Sequence, residues 1–297
     1  MAPAPVDTAS LSAKTNGNGQ TTANKKRKMD FEKTANVEIG FHGPPEMEFK
    51  TQGEHREYVK ARLAGAYRIF GHYALNEGVA GHITVRDPIE PETFWVNPFG
   101  VDFNLIKASD LLRVDHSGNI LEHGRVKILN RAAFLIHGAI HAARPDVNCA
   151  AHTHSVSGRA FCALGKTLDP IGLESCIFYD DHAVFDGKGV VLAEDEGADV
   201  AEALGGRKAA LLRNHGILTV GSSIEEAVNW FYLLDRCCQV QLMADAAALG
   251  KGGETVKMSD EEAVYTRGVA GSPRAGWFGG QMMFDLIDEI TGKRYME

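Results

Sequence analysis

The sequence predicts one mixed α/β domain behind a disordered N-terminal tail, and three observations lead there. Apolar residues recur at helical spacing in several stretches of ten or more residues. Short β-prone runs bounded by Pro, Gly or Asp lie between them, and no internal repeat is visible. At 297 residues and 44% hydrophobic content, the chain is long enough to bury one sizeable core.

Residues 1–45 are rich in Ala, Thr, Asn, Gly, Pro and Lys. They lack the aliphatic periodicity that would offset the entropy of ordering them, so a disordered tail is expected there and a folded domain over 46–297. His55 to Tyr73 carries Tyr58, Leu63, Ala66, Tyr67, Ile69 and Phe70 at roughly helical spacing, predicting an amphipathic helix. His82–Val85, Phe94–Val96 and Leu112–Val114 predict short strands. Asn130–Ala143 predicts a helix that stops before Pro145, because the residue ahead of a proline disfavours the α region.

Val147–Thr153 reads as a strand, Ser157–Leu164 as a helix, Gly189–Leu192 as a strand and Ala198–Leu204 as a helix closed by Gly205-Gly206. Ala209–Leu212 and Ile217–Val220 predict strands flanking Asn214-His215-Gly216. Ser222 or Ser223, each followed three residues later by Glu225 or Glu226, predicts a capping box opening a long helix that ends near Leu249. The stretch Gly276 to Ile287 is apolar enough to cover a pocket, a neighbouring subunit or its own domain.

Composition excludes several roles. Net charge is −8, and the basic side chains are enriched in the tail, leaving 25 Lys and Arg against 35 Asp and Glu beyond residue 45. Such an acidic body argues against a nucleic-acid partner. No apolar run approaches the roughly 20 residues needed to span a bilayer, and no secretory signal opens the chain, so a cytoplasmic protein without a membrane partner is expected. Within the tail, Lys25-Lys26-Arg27-Lys28 reads as a nuclear import signal or as a solubilising charge run. Five cysteines, with no Cys-x-x-Cys spacing, predict reduced and mostly buried thiols.

The chemistry concentrates in histidine. On a strand, side chains alternate faces, so His152 and His154 project from one face with Thr153 turned away. That arrangement suits two imidazoles converging on one cation, or two histidines hydrogen-bonded where a strand surfaces. His215, in Leu-Arg-Asn-His-Gly after an apolar strand, is the best third ligand, because strand ends are where ligand sites gather in α/β folds. His137 and His141, four apart on a predicted helix, are a second candidate pair.

Asn130-Arg-Ala-Ala-Phe-Leu-Ile-His137, His141-Ala-Ala-Arg-Pro-Asp-Val147, Ala-His-Thr-His-Ser and Leu-Arg-Asn-His-Gly-Ile-Leu-Thr-Val-Gly resemble the class II aldolase/adducin family. So do Gly-His-Ile-Thr-Val-Arg-Asp at 81–87 and Phe-Trp-Val-Asn-Pro-Phe-Gly at 94–100, and the resemblance runs from about Met47 to Leu249. It implies a three-layer α/β/α fold around a mostly antiparallel sheet. It also implies a homotetramer with sites between subunits, and Zn²⁺ or a similar ion on His152, His154 and His215.

The resemblance breaks at the aldolase Ser-Ser-Glu stretch, whose counterparts look like Arg131, Ala132 and Ala133. Alanine neither shuttles a proton nor binds phosphate, so a phosphorylated-ketose aldolase is not expected. Arg131 reads either as a carboxylate-binding residue or as a surface arginine, and the loops at Gly81 and Gly100 offer backbone amides to a substrate. Glu174 resembles the catalytic glutamate of the family's methylthioribulose-phosphate dehydratase branch and is the candidate acid/base, or else a structural glutamate. The expected function is a metal-dependent lyase working through an enolate or enediolate on a small hydroxy-carbonyl or carboxylate compound. The alternative is a non-catalytic adducin-like interaction protein with a vestigial site.

Overall fold

Eight strands form a single sheet among the residues described by the computed structural model, 40–187 and 194–297. They are β1 His82–Arg86, β2 Thr93–Val96, β3 Leu112–Asp115, β4 Ile120–Glu122, β5 Cys149–Thr153, β6 His182–Phe185, β7 Ala209–Leu212 and β8 Gly216–Gly221. Their spatial order is β4-β3-β2-β1-β5-β8-β7-β6. Every pairing is antiparallel except β6 with β7. The mostly antiparallel sheet is therefore as expected. Residues 1–39 of the expected tail, its basic cluster and the strand expected at Gly189–Leu192 lie outside the described residues.

The helices are α1 Gln52–His72, α2 Arg131–Ala143, α3 Val156–Cys162, α4 Leu173–Cys176, α5 Glu194–Leu204, α6 Ile224–Leu249, α7 Asp260–Ala270 and α8 Pro273–Thr291. The period-two alternation of the strands sorts them into layers. Ile83, Val85, Cys149, Ala151, Leu211 and Ile217 face a core shared with α1, α3, α6 and α8. Ala150, Ala210, Leu212, Leu218 and Val220 face the other way, against Ile136 and Ile140 of α2 and Val200 and Leu204 of α5. That is the three-layer α/β/α architecture, with His82, Thr84 and His152 on the α2 face.

Local chemistry sets the helix ends. The Ser223 side chain accepts from the Glu226 N–H at 3.1 Å, while the Glu226 carboxylate accepts from the Ser222 N–H at 2.8 Å. Glu225, the other capping candidate, is taken instead by Arg62 of α1 at 2.7 Å in a buried pair. α8 begins at Pro273, a favoured first position, behind the Ser272 cap. Met283, Phe284 and Ile287 of α8 are buried against its own domain, while Trp277 lines a cavity and Met282 and Leu286 are exposed. All five cysteines are buried and unpaired. No helix among the described residues is long and apolar enough to cross a membrane.

Candidate metal centre

The antiparallel pairing of β5 with β8 sets Thr153 opposite Ile217 and His152 opposite Leu218. It therefore lays the end of β5, where His154 follows, beside the start of β8, where His215 precedes. A tight turn delivers His215: its N–H donates to the Leu212 carbonyl at 3.0 Å, and Asn214 takes the left-handed conformation at φ 56 that Asn tolerates better than most residues. Gly216 makes the approach possible. A Cβ there would lie 2.5 Å from the Thr153 carbonyl oxygen and 3.2 Å from ring carbons of both His152 and His154.

Gly216→Ala is accordingly expected to spread the two strand ends and to destabilise the protein by about 1–3 kcal/mol, the usual cost of overpacking. Apparent metal affinity should fall with it. Chemical denaturation and metal titration check this; unchanged stability and affinity would show that the backbone approach is not what holds the rings together.

The rings converge. Centroids are 5.1 Å apart for His152 and His154, 4.8 Å for His152 and His215, and 4.7 Å for His154 and His215. One nitrogen from each lies within 4.8 Å of the others. Around a tetrahedral ion with bonds near 2.0–2.1 Å, ligand nitrogens sit roughly 3.4 Å apart, so small ring rotations close the set.

Electrostatics agree. Burial, then the imidazoles of His82, His215 and His154, push His152 well below its ordinary pKa. Burial and then His154 lower His215 to about 4, and burial followed by Arg159 lowers His154. Near neutral pH all three rings are uncharged and keep a lone pair, the form that binds a metal. His152 Nδ1 lies 2.9 Å from the Ile217 carbonyl, which only accepts, so Nδ1 carries the proton and Nε2 is the ligand atom. His152 is buried while His154 and His215 are partly exposed, and among the described residues no carboxylate or thiol joins the group. Three imidazoles without a fourth protein ligand among the described residues, two of them partly exposed, fit a catalytic rather than a closed structural zinc-type site.

The remaining candidates are not drawn into this cluster. Glu174 is exposed on α4, and the thiols of Cys176 and Cys237 feel its charge. Arg131 is exposed at the start of α2. Gly81 is buried at φ 106, where a Cβ would meet Thr153 at 2.9 Å, and Gly100 is exposed at φ 83. His137 and His141 are not a metal pair: both bond the Thr84 hydroxyl, at 2.7 and 2.8 Å. Tyr179 donates to Asp260 and His182 bonds the backbone of Phe178 and Leu168, so those neighbours of Glu174 serve the fold. A cavity of about 400 Å³ opens at the other end of β1 and β5, by Arg86, Asn148 and Ser223, away from the trio.

One organising residue escapes a reading of the sequence. The buried Tyr67 hydroxyl accepts from the N–H of Ile83 at 2.9 Å and of Asn97 at 3.1 Å, joining the Gly81 loop to the Asn97–Gly100 loop. Its helical periodicity marks it only as core.

The profile of the Class II Aldolase and Adducin N-terminal domain matches residues 61–242, and the chain belongs to that family. Decarboxylase NovR of Streptomyces niveus is 45% identical over 239 residues, covering 80% of this chain and 86% of its own. The 4-hydroxy-3-prenylphenylpyruvate oxygenase/4-hydroxy-3-prenylbenzoate synthase of Streptomyces roseochromogenus subsp. oscitans is also 45% identical, over 80% of this chain and 83% of its own. Among solved structures, L-fuculose 1-phosphate aldolase from Glaciozyma antarctica PI12 superposes with a TM-score of 0.77 at 42% identity, covering 85% of this chain and 96% of that one.

Proposed function

We propose that the protein is a divalent-metal-dependent lyase that cleaves a carbon–carbon bond beside a carbonyl, with decarboxylation of a small 2-oxo or hydroxy-carbonyl acid as the favoured reaction. The observation that carries this reading is the convergence of three neutral imidazoles, two of them partly exposed. A relative named as a decarboxylase supports the choice of reaction, and another, named as an oxygenase of a phenylpyruvate, itself a 2-oxo acid, supports the class of substrate. Although the Glaciozyma structure is named for a sugar phosphate, Ala132 and Ala133 replace the expected phosphate-binding hydroxyl and glutamate here.

His152, His154 and His215 would hold the ion. When bound, Zn²⁺ or a similar cation supplies undiminished positive charge that stabilises an enolate or enediolate, because the three imidazoles add none of their own. The chain does the rest. The His152–Ile217 bond fixes the ligand tautomer, Gly81 and Gly100 shape the loops that face a substrate, and Arg131 pairs with a carboxylate. Glu174 is the proposed proton carrier. Its exposure, and its place outside the trio, suit action from a neighbouring copy in a cytoplasmic homotetramer.

The test is elemental analysis of the purified protein, then a screen of 2-oxo acids and hydroxy-keto acids for CO₂ release with Zn²⁺, Mn²⁺ and Co²⁺ compared. About one divalent ion per chain and metal-dependent turnover are expected. Undiminished turnover without metal would refute the reading. Glu174→Gln should retain the ion and lose about 10²–10⁴-fold in kcat, the usual worth of a positioned acid/base; an unimpaired rate moves that role to another group.

A further inference from the structure

We infer that His82 and His137 form a second, neutral imidazole pair beside the three-histidine centre, and that His82 Nε2 receives a hydroxyl group of the substrate. The inference rests on the proposed lyase reading for what the centre does, and adds which chemical group is recognised.

A chain of hydrogen bonds fixes each proton in turn. His141 Nδ1 lies 3.3 Å from the Val147 carbonyl, which only accepts, so Nδ1 is protonated and His141 Nε2 holds a lone pair. Complete burial keeps this ring neutral, lowering its pKa to about 3. The Thr84 hydroxyl, 2.8 Å from His141 Nε2, therefore spends its one proton there. It is left to accept from His137 Nδ1 at 2.7 Å, so His137 Nε2 is a lone pair as well.

That nitrogen is sealed from solvent without a partner, and so is Nδ1 of His82. The two rings are 4.1 Å apart, centroid to centroid. Two buried lone pairs on adjacent rings would both stay unpaired, whereas a proton on His82 Nδ1 satisfies both atoms once the rings turn to bring them together. The same assignment leaves His82 Nε2 as an acceptor. No protein group bonds it among the described residues, and it is not one of the sealed atoms. The His82 ring lies 5.1 Å from that of His152, its cross-strand partner.

With Nδ1 paired to His137, Nε2 is the one nitrogen of this buried ring that no protein group among the described residues bonds, which makes it the place for a ligand's polar group. A lone pair there attracts an O–H and repels a carboxylate or phosphate oxygen, so this end of β1 selects a hydroxylated, non-phosphorylated compound.

Two measurements test the pair. Nitrogen-15 NMR of histidine-labelled protein, with and without zinc, should show Nδ1–H on both His137 and His141. Thr84→Val should abolish that pattern for His137, and Thr84→Ser should restore it. Calorimetry on the zinc-loaded protein should show hydroxypyruvate binding roughly tenfold more tightly than pyruvate, the worth of one good hydrogen bond. The ratio should fall to about one in His82→Phe and Thr84→Val and survive in Thr84→Ser. An Nε2–H tautomer on His137, or a preference absent from the native protein or untouched in the variants, overturns the assignment. Failure to bind zinc sinks the lyase reading alone, since the tautomers are read in metal-free protein too.

Discussion

His154→Ala is expected to bring bound divalent metal to background after dialysis and to take all metal-dependent turnover with it. Removing groups that merely support a metal ligand typically costs 10–100-fold in affinity, so deleting one of three ligands should cost at least about 100-fold. The substitution is also a clean one. His154 follows β5, is partly exposed, and its ring makes no hydrogen bond among the described residues, so the metal-free fold should melt almost where the native one does. His152→Ala lacks that virtue, because it removes a buried ring and its bond to Ile217. Plasma mass spectrometry and thermal melts on the two variants separate loss of the ion from loss of the fold. Retention of a full equivalent of metal by His154→Ala would mean that the trio is not the site.

This trio was legible in the sequence because strand geometry is strict. Period two puts His152 and His154 on one face, and the glycine after His215 signals a close approach. What joins His82 to His141 was not legible, since it depends on a threonine hydroxyl and on which ring nitrogen carries a proton. They are set by contacts of α2 with β1, more than fifty residues away, and with the Val147 carbonyl. Spacing raised His137 and His141 as ligands, but burial against Thr84 gave them a different task.

The same limit explains the elements that were missed. β4 and β6 have three and four residues, as few as the strands that were expected at Phe94–Val96 and Ala209–Leu212, so runs of this length carry too little alternation to decide either way. α8 carries Gly276, Gly279 and Gly280, which lower helix propensity and hide the periodicity. In the fold they let α8 sit closely on α6: a Cβ at 280 would meet the Glu225 carbonyl oxygen at 2.2 Å. Glu174 shows the limit from the other side. A resemblance can nominate a residue, yet its position along the chain says nothing of its distance from the imidazoles.

Fold stability should drop between pH 7 and pH 5, well above the range where carboxylates titrate. His141 in the folded chain titrates near 3 against 6.5 for an unperturbed histidine, because burial disfavours its cation and Arg86 repels it. Between those values the unfolded chain binds a proton that the folded one refuses. Stability is thus fully present above 6.5 and is lost as pH falls towards 3. At pH 5 this one residue accounts for about 2 kcal/mol. Burial, with neighbouring imidazoles, also pushes His82, His137 and His152 well below their ordinary range, and each acts in the same direction. Asp87 does not confuse the window. Burial raises its pKa, but Arg56, the Glu90 and Ile89 amides and Trp95 hold it below 3.8, so its contribution begins to fade only near that value. Urea unfolding of metal-free protein at pH 7 and pH 5 is the measurement. His141→Gln is the control: it should be less stable than the native chain at pH 7, since Thr84 and Val147 lose a partner, yet fall by about 2 kcal/mol less on acidification. Equal unfolding midpoints at the two pH values would show that these imidazoles are not held neutral by burial, and the lone pairs assigned to them would go with that result.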